Sequence, residues 1–304
     1  MRTRLLYLLT LVPPLGLAGA AHAHIGDQMY PFYELLDEDL HRIDLTDGSV
    51  EDWIKVVGEP SLTASDFFWL FGAYDLSEVD FRIWLAWNES SGTLWVAMER
   101  FDDLYLNSYD GAGLHEMVGW DSSIAFMVDG DHTGGIYGQL LGINCEECTD
   151  EEILWNHRQA QRWMAIAEAP GGGDILDYDG ASDWVIREPY AAAGGGVIGE
   201  SPATSVTEFM LTPFDDLIYN DEAGSKASDL HPGKVIGFSI STQDYDGTGA
   251  LDVAITLSGK WQVMINADLF VDGLLLGAGQ DPSRYDDVSA VEPSSWGRIK
   301  ASFR

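Results

Sequence analysis

The chain has 304 residues and a net charge of −34, with 50 acidic and 16 basic side chains. This balance argues against nucleic acid as a partner, because phosphate binding needs clustered Lys and Arg. Disorder is also disfavoured: hydrophobic residues make up 46% of the chain, and 11 Trp, 12 Tyr and 12 Phe supply enough apolar surface for a large core.

The N-terminus has the three regions of a secretory signal peptide. The basic start MRTR is followed by the apolar stretch LLYLLTLVPPLGLAG and by AHA at residues 21–23. The stretch is broken by Pro13-Pro14 and is shorter than the roughly 20 residues of a membrane-crossing helix, so we expect no membrane insertion. Cleavage after residue 23 removes two basic residues and no acid, leaving 14 against 50. We therefore expect a secreted or periplasmic protein.

Short apolar runs of strand length dominate the chain after residue 80. They are rich in β-branched and aromatic residues and are bounded by Gly, Asp, Asn or Ser. The five residues NESSG between the first two runs predict a hairpin. The whole pattern predicts an all-β protein, an antiparallel β-sandwich. The runs are 81–87, 93–99, 122–128, 207–212, 235–241, 251–257, 261–266 and 296–303.

The predicted organisation has three parts. Residues 1–23 are the signal peptide, 24–80 are a leader that packs on the sandwich, and 81–304 are the sandwich domain. A long insertion at about 136–196 interrupts the core strands, and we interpret it as a lid or a surface decoration. It carries glycine clusters at 171–173 and 194–196 and one short predicted helix from Thr149 to about Gln161, which begins with capping-box spacing.

The two cysteines of the chain, Cys145 and Cys148, lie in that insertion as a lone CEEC. In a secreted protein this spacing favours a small disulfide-closed loop over free thiols or a metal site. A metal site would need further ligands, for which His157 is the nearest candidate.

Two loops share the pattern D-x-D-x-T-G, at 129–134 and 244–249. Alternating oxygens in a tight loop converge on one point, and Gly permits the sharp turn that wraps a calcium ion. Neither loop is an EF-hand, because the twelfth positions are Leu140 and Ile255. The alternative is a metal-free turn in which Asp side chains accept from nearby amides. The candidate calcium ligands are Asp129, Asp131, Thr133, Asp244, Asp246, Thr248 and Asp252.

Three motifs together resemble the family 9 carbohydrate-binding modules: GWDSSIAFMVDGDHTGG at 119–135, PGKVIGFSISTQDYDGTG at 232–249 and SSWGRIKASF at 294–303. The resemblance implies a β-sandwich, calcium ions that stiffen loops, and tryptophans that grip a terminal sugar. In one departure, Ala125 stands where the family has an acid. The matched positions are Asp129, Asp131, Asp244 and Asp246 for the loop acids and Trp120 and Trp296 for the aromatics.

A sugar site needs an aromatic plane beside paired polar groups. Trp84, Trp87 and Trp95 lie within strand runs and are expected in the core. The expected function is a secreted, calcium-stabilised, non-catalytic carbohydrate-binding protein whose partner is a carbohydrate or a cell-envelope glycan. The candidate ligand-binding residues are Trp120, Trp155, Trp163, Trp184 and Trp296.

The sequence leaves two other non-catalytic functions open besides carbohydrate binding. One is a structural or surface-assembly sandwich without a small ligand. The other is a haem-binding electron-transfer domain, for which Met98, His115, Met117 and Met127 are the available ligand types. Buried methionines are more often core residues, and no C-x-x-C-H is present.

An enzyme has less support. The sequence contains no nucleophile elbow, zinc-protease helix or phosphate loop. Adjacent acids such as Asp102-Asp103 point to opposite faces of a strand, which does not place two carboxylates across a glycosidic bond. The sequence therefore favours binding over catalysis.

Overall fold

The computed structural model describes residues 25, 28–107, 121, 123–138, 157–167, 173–177, 183–246 and 250–280. In these residues β-strands dominate, and helix is limited to two short α-helices and a few 3-10 turns. No helix in this part of the chain is long and apolar enough to cross a membrane.

The helices are Asp37–Leu40 (α1) and Glu51–Val56 (α2). The strands are Met29–Glu34 (β1), Leu62–Thr63 (β2), Phe68–Phe71 (β3), Val79–Asn88 (β4), Thr93–Asp102 (β5), Ile124–Asp129 (β6), Gln161–Ile166 (β7), Asp174–Asp177 (β8), Ala191–Gly199 (β9), Ala203–Leu211 (β10), Phe214–Asp216 (β11), Lys226–Ala227 (β12), Val235–Asp246 (β13), Ala250–Thr256 (β14) and Val271–Leu276 (β15).

One long ladder of strands folds over on itself. Its order is β8-β7-β6-β13-β15-β1-β4-β5-β10-β9, with β14 and β3 branching from β13 and β2 from β4. The two ends of the ladder come together, since β8 lies near β9 and β7 lies near β10. Across the interior, the Phe126 ring of β6 meets the Phe209 ring of β10 at 5.9 Å between centroids. The all-β sandwich is confirmed.

The core lies between the two halves of this ladder. Strand side chains that alternate inward from both halves bury Val96 and Met98 against Phe126 and Phe238. Trp84 and Trp87 are fully buried, as predicted, and Trp95 is partly buried against a second cluster on the outer face of β4 and β5.

The predicted hairpin is also confirmed, because β4 and β5 pair antiparallel from Val79↔Asp102 to Asn88↔Thr93. The strand predicted at 261–266 is wrong: Trp261–Met264 is a 3-10 turn. The chain turns sharply before it at Gly259, whose φ is 70°, and the Asn266 side chain accepts from the Asp268 amide after it. The run 296–303 lies outside the described residues.

The first strand of the leader is part of the sheet itself. β1 inserts between β15 and β4 and is parallel to both, an exception to the antiparallel pairing predicted. α2 then covers the outer face of the neighbouring strands, where Trp53 is fully buried with Ala97 and Val206.

The segment 136–196 likewise supplies sheet strands instead of the lid or decoration expected. β7 pairs with β6, β8 with β7, and β9 with β10. The glycines at 194–196 allow close packing of the backbone. A Cβ on Gly194 would lie 2.0 Å from the Leu45 carbonyl oxygen, and a Cβ on Gly195 would lie 1.9 Å from the Val206 carbonyl oxygen. Of the predicted helix, residues 157–160 are non-helical and Gln161 begins β7. The rest of that helix and both cysteines lie outside the described residues.

Candidate functional site

The two D-x-D-x-T-G loops lie at opposite ends of one strand pair. β6 runs antiparallel to β13, with Asp129 opposite Gly237 and Ile124 opposite Thr242. The loop that follows Asp129 therefore leaves one end of the pair and the loop at Asp244 leaves the other. The two loops form separate sites, each of which must gather its own ligands.

The Asp129 loop closes on itself. Asp129 is buried and its Oδ2 accepts from the Gly134 amide at 2.6 Å. Asp131 Oδ1 accepts from the amide and hydroxyl of Thr133 at 3.2 and 2.7 Å. Burial raises the pKa of Asp129, and contact with the Asp131 carboxyl raises it further. Among the described residues no third acid joins this pair, so the geometry matches the metal-free turn, and calcium here stays a prediction.

The Asp244 loop is different, because it joins a group of carboxylates from four parts of the chain. Oxygens of Asp102, Asp121 and Asp244 lie within 4.8 Å of one another, as do oxygens of Glu78, Asp244 and Asp246. We refer to these five acids together with Arg100 as the Asp244 cluster. Oxygens on opposite sides of a calcium ion are about 4.8 Å apart, twice the usual Ca–O distance. Both sets of oxygens are therefore close enough together to bind calcium.

Arg100 holds the buried half of the cluster together. It lies on β5 two residues before Asp102, so both side chains point to the same face. Its Nη2 donates to Asp102 Oδ2 at 2.6 Å and to Asp244 Oδ1 at 2.5 Å, and lies 3.6 Å from Asp121 Oδ1. Its Nη1 donates to the carbonyl of Gln243 at 2.5 Å. The guanidinium therefore links β5 to β13 across the sandwich.

This buried half carries more negative than positive charge. Arg100 and the three aspartates are at most 1% exposed. With every aspartate ionised the group has a net charge of −2, which one divalent cation would neutralise. Asp244 Oδ2 is buried and accepts no hydrogen bond from the described residues. Buried polar atoms are normally satisfied, so this oxygen is available to a further ligand.

The pKa values of two aspartates in the buried half are raised. Burial raises the pKa of Asp121 to about 7, although the Arg100 charge opposes the shift. Burial also raises the pKa of Asp244, and the carboxylates of Asp102 and Asp121 add to that rise. These carboxyls therefore retain protons near neutral pH on their own, and a bound cation would displace them.

Two predicted ligands sit at the outer half of the cluster. Asp246 lies beside Glu78, and burial together with the charges of Asp103 and Asp252 raises its pKa. Asp252 accepts from the Asp246 amide through Oδ2 at 2.8 Å, which closes the turn. Thr248 lies outside the described residues.

The tryptophans predicted to bind sugar do not form one surface. Trp163 lies within β7 and is fully buried in the core, so it presents no plane to solvent, contrary to our expectation. Trp184 is partly buried, with its ring edge-on to Tyr190 and Phe214 at 4.8 and 5.5 Å. Trp120, Trp155 and Trp296 lie outside the described residues.

A different set of aromatic side chains is exposed. Phe68, Phe71, Tyr74 and Trp261 are 48%, 56%, 55% and 51% exposed, and we call this set the aromatic edge. β3 carries the first two and pairs with β14, with an irregularity in register between Trp69 and Phe71. The loop after β14 approaches Phe68, since a Cβ on Gly259 would lie 2.9 Å from the Phe68 ring, and Trp261 follows two residues later. Large apolar side chains that are exposed together are typical of binding surfaces.

A cleft of about 450 Å³ is lined in part by Leu76, two residues after Tyr74. Arg82 Nε donates to Glu99 Oε2 at 2.6 Å within it, and the Arg82 guanidinium lies 5.3 Å from the Trp84 ring centroid. Thr63 and Ser65 add hydroxyl groups to the wall. We call this the Arg82 cleft. It offers the charged and hydroxyl pairs that sugar hydroxyls require.

Residues 72–78 contact the Asp244 cluster at one end and the neighbouring Asp252 at the other. At one end Gly72 packs on Asp252, where a Cβ would lie 2.5 Å from the Asp252 carbonyl oxygen. At the other end Glu78 contributes a carboxylate to the cluster. Tyr74 of the aromatic edge and Leu76 of the cleft lie between these two anchors. Glu78 therefore links residues 72–78 to the cluster.

Sequence reasoning missed Arg100, Asp102, Asp121 and Glu78 as members of the cluster. Asp121 stands in the motif that resembles family 9, directly before β6, and Asp102 ends β5. Acids at strand ends were therefore visible in the sequence. Their meeting with Asp244 depends on the strand order, which no local pattern contains.

The ligand types proposed for haem do not converge. Met98 is buried in the main core, whereas Met127 is buried in a separate cluster with Tyr137 and Phe270. Both serve as core side chains in the described structure. His115 and Met117 lie outside the described residues.

The structure resembles the family 9 carbohydrate-binding modules. A module of that family from Caldicellulosiruptor kristjanssonii in complex with cellotriose is 13% identical, with a TM-score of 0.46, covering 87% of this chain and 98% of that one. A family 9 module from the same organism in complex with glucose is 14% identical, with a TM-score of 0.47, covering 86% of this chain and 100% of that one. The sequence matches no protein-family model and no curated protein.

Proposed function

We propose that the protein is a secreted, non-catalytic carbohydrate-binding module whose binding surface is stabilised by calcium. The observation that carries the proposal is the aromatic edge, four exposed aromatic side chains on β3 and in the segments after β3 and β14, together with the Arg82 cleft and its paired polar groups. Aromatic planes stack on the apolar faces of sugars, and the Arg82–Glu99 pair can donate to and accept from neighbouring hydroxyls.

Calcium has a structural part in this proposal. The ion would bind carboxylates of the Asp244 cluster and neutralise its net charge of −2, at the end of the sandwich where residues 72–78 are anchored. All the ligands are carboxylate oxygens, which hard cations such as calcium prefer. The ion would take no part in chemistry. It would hold the segment that carries Tyr74 and Leu76 in place.

The test is glycan binding by the mature protein and by variants of the aromatic edge. Soluble oligosaccharides and envelope glycans should quench or shift the fluorescence of Trp261, a signal that W261F should remove. Phe71→Ala and Tyr74→Ala should weaken binding without changing the melting temperature, because both side chains are more than half exposed. Tyr219→Ala is the matched control, an exposed tyrosine elsewhere on the surface.

The structural or surface-assembly alternative makes the opposite prediction for the same variants. If the aromatic edge is a protein interface, no glycan should bind, and Phe71→Ala should instead abolish self-association or capture of an envelope protein. Sedimentation velocity of wild type and Phe71→Ala separates the two outcomes.

A further inference from the structure

A second group of acids lies on the outer face of the sandwich, away from the Asp244 cluster. It consists of Asp47 in the loop after α1, Asp52 at the start of α2 and Glu208 in the middle of β10. One carboxylate oxygen from each lies within 4.8 Å of the others. We call these three residues the Glu208 cluster.

Glu208 is the unusual member. It faces the outer cluster of the leader, with Val206 of the same strand, and is fully buried. Its Oε1 accepts from the indole Nε1 of Trp53 at 2.7 Å, but its Oε2 is buried and accepts no hydrogen bond from the described residues. A fully buried carboxylate with one unsatisfied oxygen is costly unless a cation or a proton completes it.

No side-chain cation completes it within the described structure. None of the three carboxylates is within ion-pair distance of a Lys, Arg or His there, and Lys55 of α2 pairs with Glu51 instead at 3.2 Å. The neighbouring Asp44 adds a further negative charge, and its amide donates to Asp52 Oδ2 at 2.8 Å. Burial raises the pKa of Glu208 to about 8, with the charges of Asp52, Asp47 and Asp44 contributing.

We propose that Asp47, Asp52 and Glu208 form a second divalent-cation site, suited to calcium, which pins the leader to the outer face of β10. The buried oxygen of Glu208 and the carboxylates of the two aspartates would supply three ligands on one side of the ion. The exposed position of Asp47 leaves the other side open to water, as calcium sites with six to eight oxygen ligands commonly require.

The site would tie together parts of the chain that are far apart in sequence. Gly48, in the same loop, has a φ of 65° and packs on Gly196 of β9, where a Cβ would lie 3.0 Å from the Gly196 Cα. The loop thus packs closely against β9. A cation there would stabilise the contact of α2 with the sheet without touching the aromatic edge.

The experiment counts calcium ions per chain in the mature protein, by metal analysis after equilibration and by calorimetric titration. Glu208→Gln should bind one ion fewer than wild type, and so should Asp47→Asn. Both substitutions preserve acceptors for Trp53 Nε1 and the Ser49 amide, so both variants should fold. Glu51→Gln removes an exposed charge from the same helix turn and should bind as many ions as wild type.

Terbium gives an independent readout at this site. Since Trp53 donates directly to Glu208, a bound terbium ion should show emission sensitised by Trp53, which Glu208→Gln should lose and Asp244→Asn should retain. If Glu208→Gln and Asp47→Asn bind as many calcium ions as wild type, a proton rather than a metal completes Glu208, and the site is overturned. This result is independent of glycan binding.

Discussion

Arg100 Nη2 lies 2.5 Å from Asp244 Oδ1, and both side chains are buried. The two residues belong to β5 and β13, which are not neighbours in the sheet, so the ion pair joins the two halves of the sandwich. Around it are two more buried aspartates that the single guanidinium does not neutralise. The relationship therefore has consequences for stability, for metal dependence and for pH dependence.

Replacing Arg100 by Met should be strongly destabilising. The variant leaves three carboxylates buried without a cation, and breaking such a buried pair typically costs about 3–5 kcal/mol. Urea denaturation followed by tryptophan fluorescence measures the loss. Arg82→Met is the control, because the Arg82–Glu99 pair is solvent-exposed and should contribute less than about 1 kcal/mol. Equal losses in the two variants would contradict the importance assigned to the buried cluster.

Calcium should raise the melting temperature, and Asp244→Asn should remove much of that gain. An ion at a hundredfold excess over its Kd adds about 2.7 kcal/mol to the free energy of unfolding. Differential scanning fluorimetry with calcium or chelator checks this. Asp131→Asn, in the loop that closes on itself, should keep the wild-type response. The reverse pattern would place the calcium site at Asp129 instead.

Without calcium, the free energy of unfolding should fall as pH rises from about 4 to about 7. Asp121 has a folded pKa of about 7 against an ordinary value of 3.8, so the folded state holds a proton that the unfolded state has released over this window. Stability from such a group is complete at low pH and is lost as pH increases. Saturating calcium should flatten this slope, because the ion replaces the proton. Urea titrations at pH 5 and pH 8, with calcium or with chelator, test the prediction. If calcium and chelator give the same change in the free energy of unfolding between the two pH values, the prediction is refuted.

Gly195→Ala should destabilise the protein by more than about 1 kcal/mol, because the φ of Gly195 is 132° and a Cβ would lie 1.9 Å from the Val206 carbonyl oxygen. Gly196→Ala is the matched control, since its φ is not positive and its Cβ would meet Gly48 Cα at 3.4 Å, an ordinary contact. Thermal unfolding of both variants gives the comparison. A loss confined to Gly196→Ala would show that the β9–β10 packing is described incorrectly.

Much of the fold was predictable from local pattern. Runs such as 81–87 and 93–99 are apolar, of strand length and joined by a short turn, so their pairing followed from adjacent sequence. Trp84 and Trp87 were assigned to the core because they lie within those runs. Segment 136–196 escaped the same reasoning for two reasons. β7 pairs with β6 across a long intervening stretch, and the glycines of β9, which pairs with the next strand β10, are typical of loops.

The sequence by itself determined the strand content, the acidic character and the aspartates of the two repeated loops. Only the tertiary structure decided which acids meet. β6 and β13 pair antiparallel, and this sends the two similar loops to opposite ends, where Asp244 gains Asp102, Asp121 and Glu78 while Asp129 gains no third acid among the described residues. A loop motif specifies its own turn through short-range hydrogen bonds, whereas a cation site requires charges brought together by strand order and register, which depend on contacts between distant residues.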